Sequence, residues 1–370
     1  MKIVFIASRS LDKIGGIETY MKYLTPELVK KGYEVILYTD GGWFYKSTYK
    51  RVTVIALPIM KGKMVTKVLL GFIATVHSII FNRNVDIYHY NADAAALFSF
   101  LPKLLNKNVV YQGHGLEWKR AKWSPFSQKI IHYLDDFVIG INNNITMVSQ
   151  EQSDYVMSRY NKMAHTITSG VDMRLETFNT SILNKYKIIQ NNYILYLGRL
   201  VPEKKADILI EGFIKANYQN LQLIIAGDDA NEKQYIENLK NMAMDHENII
   251  FTSAVFNEDK EALLQNCKVF CIPSELEGLP ITLLEAMSYG KICLASDIEA
   301  NKEALATCGI YFNVNNSDDL AIKLFNIMSQ FDKNKLLGTM AKQRVENNFT
   351  WDIIANKFDK YYKSLLSRKI

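Results

Sequence analysis

The sequence predicts an α/β protein of two domains, each a parallel sheet flanked by helices, and three observations carry that prediction. Its 370 residues exceed what one ordinary core organises and suit two domains of roughly 150 to 200 residues each. Short apolar runs alternate with helix-period runs, the order that builds parallel sheets. Hydrophobic residues make 48% of the chain and charged residues 22%, ordinary globular usage that excludes disordered and fibrous classes.

The first strand, at residues 2–7, reads KIVFIA, an apolar core too short for a signal peptide. An amphipathic helix at 18–31 and strands at 33–39 and 52–58 follow. The longest uncharged apolar run, the 14 residues 68–81, falls short of the roughly 20 that span a bilayer, so it is expected as a helix packed on the sheet. Next come a strand at 86–91, a helix at 94–105, a strand at 109–115, a strand, loop and helix within 145–156, and a closing strand within 165–172. The polar stretch 173–189 lacks strong periodicity and is the expected linker. In the second half, strands are expected at 193–197, 221–228, 248–255, 269–274 and 291–297. The intervening helices are expected from Ala206 and at 232–244, 259–266 and 281–289, with a last helix of 3.6 spacing at 351–366.

The stretch PSELEGLPITLLEAMSYG, Pro273 to Gly290, organises the chemistry. Pro280 is expected at the first helical position, which puts Glu277 in the loop and Glu285 about one turn inside the helix. Two carboxylates so placed can face one cleft, and open α/β sheets bind ligands outside the carboxyl ends of their strands. Leu283, Leu284, Ala286 and Met287 bring buried surface close to Glu285, and a carboxylate there needs a partner. Arg199 and Lys204 share one loop and can converge on a diphosphate as fork and point charge. Gly15 and Gly16 precede a helix, where backbone N–H groups make an anion site. His114 follows a strand, between Gly113 and Gly115 and ahead of Glu117, Trp118, Lys119 and Arg120. Taken singly, each has a plain alternative: a solvated surface charge, an ordinary glycine turn or a structural histidine.

Together these residues carry a resemblance. EGLPITLLEA is similar to the E-x7-E signature of retaining glycosyltransferases with the GT-B fold, family 4-like, and GRLVPEKK is nearly that family's GRLVPEKG, with Lys205 where glycine is usual. HTITSGVD resembles the family's closing strand with its NGVD turn, Ser169 standing for Asn, and Glu303 matches a family glutamate. HGLEWKRAKW with LFSFLPKLL resembles bacterial cell-surface polysaccharide transferases, some of them rhamnosyltransferases. The resemblance implies two Rossmann-like domains facing across a cleft: an acceptor domain at 1–175, a nucleotide-sugar domain at 190–350, and a helix at 351–370 crossing back to the first. It implies that Arg199 and Lys204 bind the donor diphosphate, that Glu277 touches the donor sugar with Gly278 and Leu279 beside it, and that Glu285 holds the ribose hydroxyls. Gly15 and Gly16 would meet the donor phosphate, His114 would lie near the reacting carbon, and the base would sit against residues 252–256 and Pro273. Transfer would retain configuration by front-side attack, without a protein nucleophile.

No Asp-x-Asp triplet is present, so no metal or other cofactor is expected; the nucleotide sugar is substrate, and protein cations must meet the leaving charge. The acceptor expected is a glycan or a lipid-linked sugar. A net charge of +6 suits an anionic ligand or membrane face, whereas no dense Lys/Arg run with interleaved aromatics points to nucleic acid. Lys46, Lys50, Arg51, Lys61, Lys63 and Lys67, interleaved with Trp43, Phe44, Tyr45 and Met64, would suit peripheral contact with acidic lipid; the plain alternative is an exposed basic loop. Cys267, Cys271, Cys293 and Cys308 lie on apolar runs without a histidine cluster, which reads as buried reduced thiols in a cytoplasmic protein. No short-period repeat or low-complexity tract is visible. Two other functions stay open: a non-catalytic nucleotide-sugar-binding module, and a GT-B epimerase or phosphorylase. Labelled nucleotide sugars separate them, because a transferase cleaves donor when acceptor is present, an epimerase changes the sugar, and a binder releases nothing.

Overall fold

A computed structural model of the chain describes residues 1–6, 9–12, 15–59, 65–119, 123–173 and 179–367. The chain divides into two compact units, Met1–Gly170 with Trp351–Ile370, and Val171–Thr350. The first unit runs β1 (Lys2–Ile6), α1 (Gly16–Lys30), β2 (Glu34–Gly41), β3 (Tyr45–Tyr49), β4 (Val52–Pro58), α2 (Val65–Phe81) and β5 (Ile87–Asn91). It continues through α3 (Asp93–Ala96), α4 (Phe100–Leu104), β6 (Asn108–Gly113), α5 (Pro125–Ile141), β7 (Ile145–Met147), α6 (Gln150–Tyr160) and β8 (Ala164–Thr166).

The second unit begins with α7 (Ser181–Lys185), β9 (Tyr193–Leu197), α8 (Ala206–Ala216), β10 (Gln222–Ala226), α9 (Lys233–Met242), β11 (Ile249–Phe251) and α10 (Asn257–Asn266). It ends with β12 (Val269–Ile272), α11 (Ile281–Ser288), β13 (Ile292–Ser296), α12 (Glu299–Leu305), β14 (Ile310–Phe312), α13 (Ser317–Ser329) and α14 (Phe331–Asn348). The last helix, α15 (Trp351–Ser367), belongs to the first unit and packs on α1.

The first sheet has the order β3-β4-β2-β1-β5-β6-β7-β8, parallel except for its β3 edge. One face is closed by α1 and α15, with Tyr20 and Leu24 meeting Phe358 and Tyr362 in the core. The other face is closed by the inner sides of α2, α3 and α5, with Leu70, Ala74, Ala96 and Val138 in its core. The second sheet, β11-β10-β9-β12-β13-β14, is parallel throughout. In each unit the strand order reverses beside the first strand, between β1 and β5 and between β9 and β12, and the crevice beyond such a reversal is where doubly wound sheets bind ligands.

Several elements differ from the sequence-based expectation, each for a physical reason. β3 was not expected, because YKSTY is a solvent-exposed edge strand without an apolar face, held by pairing to β4. Residues 94–105 are not one helix but α3 and α4; Pro102 lacks an N–H and falls in the first turn of α4, where donors have no helical partner anyway. The expected linker is partly folded, since α7 lies in it and Ile182, Leu183 and Ile188 are buried in the core of the second unit. Pro280 stands one residue before α11, at the N-cap, with φ −76° and ψ 102°. The helices α5, α13 and α14 and the strand β14 had no counterpart in the sequence reading. All four cysteines are buried and unbridged.

Candidate functional site

In the second unit, the loops after the adjacent strands β9 and β12 bring together the residues singled out from sequence. Lys204 ends a short 3-10 turn, Pro202–Lys204, and pairs directly with Glu277. The backbone holds these loops together, since Glu275 N donates to Glu203 O at 3.0 Å. Glu277 Oε1 also accepts from Ser274 Oγ at 2.8 Å; Ser274 O accepts from Ser296 Oγ, and Asn301 Nδ2 donates to Ser296 O at 3.0 Å. This buried hydroxyl and amide chain anchors the carboxylate from β13 and α12.

Glu285 has the partner that its apolar surroundings demand: Lys260 Nζ of α10 lies 2.6 Å from its Oε1. Arg199 is looser, with Nη1 3.5 Å from Asp229 Oδ2 and a side chain 49% exposed. Gly198 lies close to Gly227 after β10, where a Cβ would meet the Gly198 carbonyl oxygen at 1.9 Å, so glycine is what lets the two loops converge. Lys205, at the position where the resembling family has glycine, holds φ 52° and ψ 41°, the left-handed region that favours glycine, and its Nζ pairs with Glu275 at 3.1 Å. Gly278 lies in the turn beside Glu277, whereas Leu279 turns its side chain into the core and can offer a ligand only backbone. In the expected base region, Thr252 O accepts from Tyr186 Oη at 2.9 Å. Glu303 sits on α12, and its carbonyl accepts from Arg344 Nη2 at 2.8 Å.

In the first unit, the ends of β5 and β6 carry neutral polar groups. His114 Nε2 lies 3.1 Å from Asn91 Oδ1, and the Tyr20 ring meets the imidazole edge-on with centroids 4.9 Å apart. Desolvation pushes the His114 pKa down to about 3, so the ring is neutral at physiological pH. Nε2–H then donates to Asn91 and Nδ1 keeps a lone pair. Asn91 and Gln112 are register partners across β5 and β6, and Asn91 Nδ2, Gln112 Nε2 and the Tyr20 hydroxyl are buried without a protein partner among the described residues.

At the glycine pair, α1 starts at Gly16, and a Cβ on Gly15 would meet Glu18 Oε2 at 2.0 Å and Arg9 Nη2 at 2.9 Å. Arg9 Nε donates to Glu18 Oε1 at 2.8 Å, and the buried Glu18 carboxylate thus occupies the positive end of the helix dipole. Any phosphate there shares the helix end with Glu18. Further along, Trp123 Nε1 donates to Glu117 Oε1 at 3.3 Å, and Trp118 packs against His132 with the rings tilted by 39° and their centroids 4.4 Å apart. Trp43 is 83% exposed and Phe44 56%. Lys61, Lys63, Met64 and Arg120 lie outside the described residues. The sequence reading missed Lys260, Asp229, Ser274 and Asn91. Asn91 and Ser274 had a signal in standing at strand ends, whereas Lys260, on a helix distant in sequence, had none.

Comparison with known proteins agrees with this architecture. Residues 179–344 match the model for glycosyl transferases group 1, and residues 14–175 match the model for Glycosyltransferase Family 4. The chain is 24% identical over 375 residues to a phosphatidyl-myo-inositol mannosyltransferase of Mycolicibacterium smegmatis, covering 99% of this chain and 94% of that protein. Sucrose-phosphate synthase from Thermosynechococcus elongatus superposes with a TM-score of 0.83 at 16% identity, over 99% of each chain. Anabaena HepE in complex with UDP superposes with a TM-score of 0.77 at 18% identity, over 98% of this chain and 100% of that one. Its two α/β units, matched in turn by these two models, make the chain a sugar-transferring enzyme, a glycosyltransferase of the GT-B fold similar to those of family 4.

Proposed function

We propose that this enzyme transfers a sugar, with retention and without a metal, from a nucleotide-sugar donor to a glycan or lipid-linked acceptor in bacterial cell-surface polysaccharide synthesis. The observation that carries this reading is the meeting of Lys204 with Glu277, and of Lys260 with Glu285, beside Arg199 at the strand-order reversal of the second unit. Arg199 and Lys204 take the diphosphate, Glu277 a sugar hydroxyl, with Gly278 and the Leu279 backbone beside it, and Glu285 the ribose. His114 offers the transferred sugar a neutral imidazole, and the backbone at Gly15 and Gly16 meets the donor phosphate at the start of α1, where the open space lies beside Gly16 and Glu18 occupies the space beside Gly15. Positive charge fixed where the leaving group develops its negative charge is usually the largest catalytic contribution, and here two side chains supply it. Release of nucleoside diphosphate needs no general acid if that charge is met, and configuration is retained if the acceptor hydroxyl attacks from the face the diphosphate leaves.

Support for the donor class comes from UDP bound to the structurally similar HepE, and support for a lipid acceptor from the name of the mannosyltransferase relative. A lipid-linked acceptor brings the enzyme, working at the cytoplasmic face, into peripheral contact with a bilayer. The test is incubation of the protein with labelled UDP, GDP, dTDP and ADP sugars and membrane extract, with and without a chelator. Sugar moving into the glycan or lipid fraction, undiminished by chelation, is the expected result; sugar isomerised in place, or turnover lost in chelator and restored by magnesium, contradicts the reading.

A further inference from the structure

The outer layer of the first unit, on the side of α2, α4 and α5, is apolar where a water-facing layer would be polar. Helix α2 packs Leu70 and Ala74 inward, yet its outer side carries Leu69, Phe72, Ile73 and Ile80, all exposed, and after Lys67 it holds no charged residue. A helix apolar all round is normally covered on all sides. On α4, Leu104 is 74% exposed, and on α5 Phe126, Ile130, Tyr133 and Phe137 recur at helical spacing along one exposed stripe, Phe126 at 74%. The three helices form one surface. α4 contacts α2, α3 joins α2 to α5, Phe72 packs on Phe98 at 5.1 Å, and Lys103 Nζ donates to Ile141 O at the end of α5. The β2–β3 turn extends it, because Phe44 lies 5.5 Å from His77, which lies 4.6 Å from Phe81. Exposed large apolar residues gathered on neighbouring helices in this way mark an interaction site.

Charge decides the occupant. From Val65 to Asn108 the acids are Asp86 and Asp93, and both are engaged internally, Asp86 by Lys2 N at 2.7 Å and Asp93 by the Tyr111 hydroxyl. On α5, Asp135 is buried and Asp136 is held by Arg159. The bases stand close to exposed apolar residues in sequence: Arg83 two residues after Phe81, Lys107 two after Leu105, and Lys129 directly before Ile130. A second copy docked about a two-fold axis would set this basic surface against itself. An apolar face edged with cations fits anionic headgroups over acyl chains. Among the described residues no helix is long and apolar enough to cross a membrane, so the face would lie on the bilayer.

We propose that the outer face of α2, α4 and α5, with the β2–β3 turn, docks on an anionic lipid bilayer. This rests on the peripheral contact proposed above and assigns it a surface; the donor-binding residues take no part. Flotation of the full chain with phosphatidylglycerol–phosphatidylethanolamine vesicles, against phosphatidylcholine vesicles, tests it. The wild type should float with the anionic vesicles and release as salt is raised, while Phe72→Gln/Ile80→Gln/Leu104→Gln/Phe126→Gln should lower the bound fraction by about tenfold or more. Lys107→Glu/Lys129→Glu, which alters only surface charge, should weaken anionic binding if the apolar variant proves unstable. Overturning results are a wild type that stays unbound on anionic vesicles at low salt, variants that float like the wild type, or a wild-type dimer that the apolar variant dissociates without any flotation. Nucleotide-sugar turnover measured in parallel separates the two proposals, since loss of flotation with turnover intact removes only the docking surface.

Discussion

The two units solve the same problem, presenting polar groups at the carboxyl ends of parallel strands, with opposite chemistry. The second unit does it with compensated charge: Lys204 with Glu277, Lys260 with Glu285, Arg199 with Asp229 and Lys205 with Glu275. The first does it at the ends of β5 and β6 with neutral groups, His114, Asn91 and Gln112, beside Tyr20 of α1, and holds the Arg9–Glu18 pair apart from them at the start of α1. Paired charge can be redirected, because an anion reaching Lys204 takes over a bond that Glu277 otherwise holds and leaves the carboxylate to a sugar hydroxyl. Neutral groups act through direction instead, and their work is insensitive to pH. The difference supports the proposed division of labour, in which the charged loops of the second unit take the anionic diphosphate and the ends of β5 and β6 take a polar, uncharged group.

The sharpest way to break this contrast is at Lys204. Lys204→Ala removes the cation and strands Glu277, and kcat/KM for the donor should fall by on the order of a hundredfold or more. Near-normal steady-state kinetics would show that the diphosphate lies elsewhere. Glu285→Gln keeps the shape of the site and removes charge, so donor KM should rise about tenfold while kcat changes little, the signature of lost ground-state binding. An equal fall in kcat would move Glu285 from binding to chemistry.

On the neutral side the prediction is an absence of titration. With its pKa held down at about 3, His114 stays uncharged from about pH 5 to pH 8, so wild type and His114→Asn should share one shape of rate profile across that interval. An inflection near the ordinary histidine pKa that disappears in the variant would mean that the ring takes up a proton.

The smallest effect expected is on stability. Burial and the neighbouring Asp93 push the Asp135 pKa up to about 8, against about 3.9 in an unfolded chain. Between those values folding requires proton uptake, so the contribution of this group is full below the lower value and lost as pH rises to the upper one. Asp135→Asn should therefore raise the melting temperature relative to wild type by an increment that grows from pH 5 to about pH 8. An increment that shrinks with pH would reverse the assignment.

Much of this was legible because local signals agreed with the fold. The strand at Tyr193–Leu197 and the starts of α8 and α11 appear where the apolar runs placed them, since each run ends in glycine, proline or a loop of charges. The requirement that Glu285 have a partner was legible too, but not its identity, because Lys260 reaches it from a helix 25 residues away. Lys205 shows a different limit: a lysine in the left-handed conformation is invisible to propensity, and only its place in GRLVPEKK hinted at it. β3 escaped because an edge strand needs no apolar face, and α7 because five residues give a period too little length to show. The exposure of the outer side of α2 was hidden for the converse reason. An apolar helix packed on a sheet and one packed on a sheet and something else read alike.

The most direct test of the account follows release of nucleoside diphosphate from labelled donor, with acceptor extract and a chelator, by wild type and Lys204→Ala side by side. The account predicts transfer by the wild type unaffected by chelation and nearly abolished in the variant. Equal release by the two proteins, or release that depends on added metal, would contradict it.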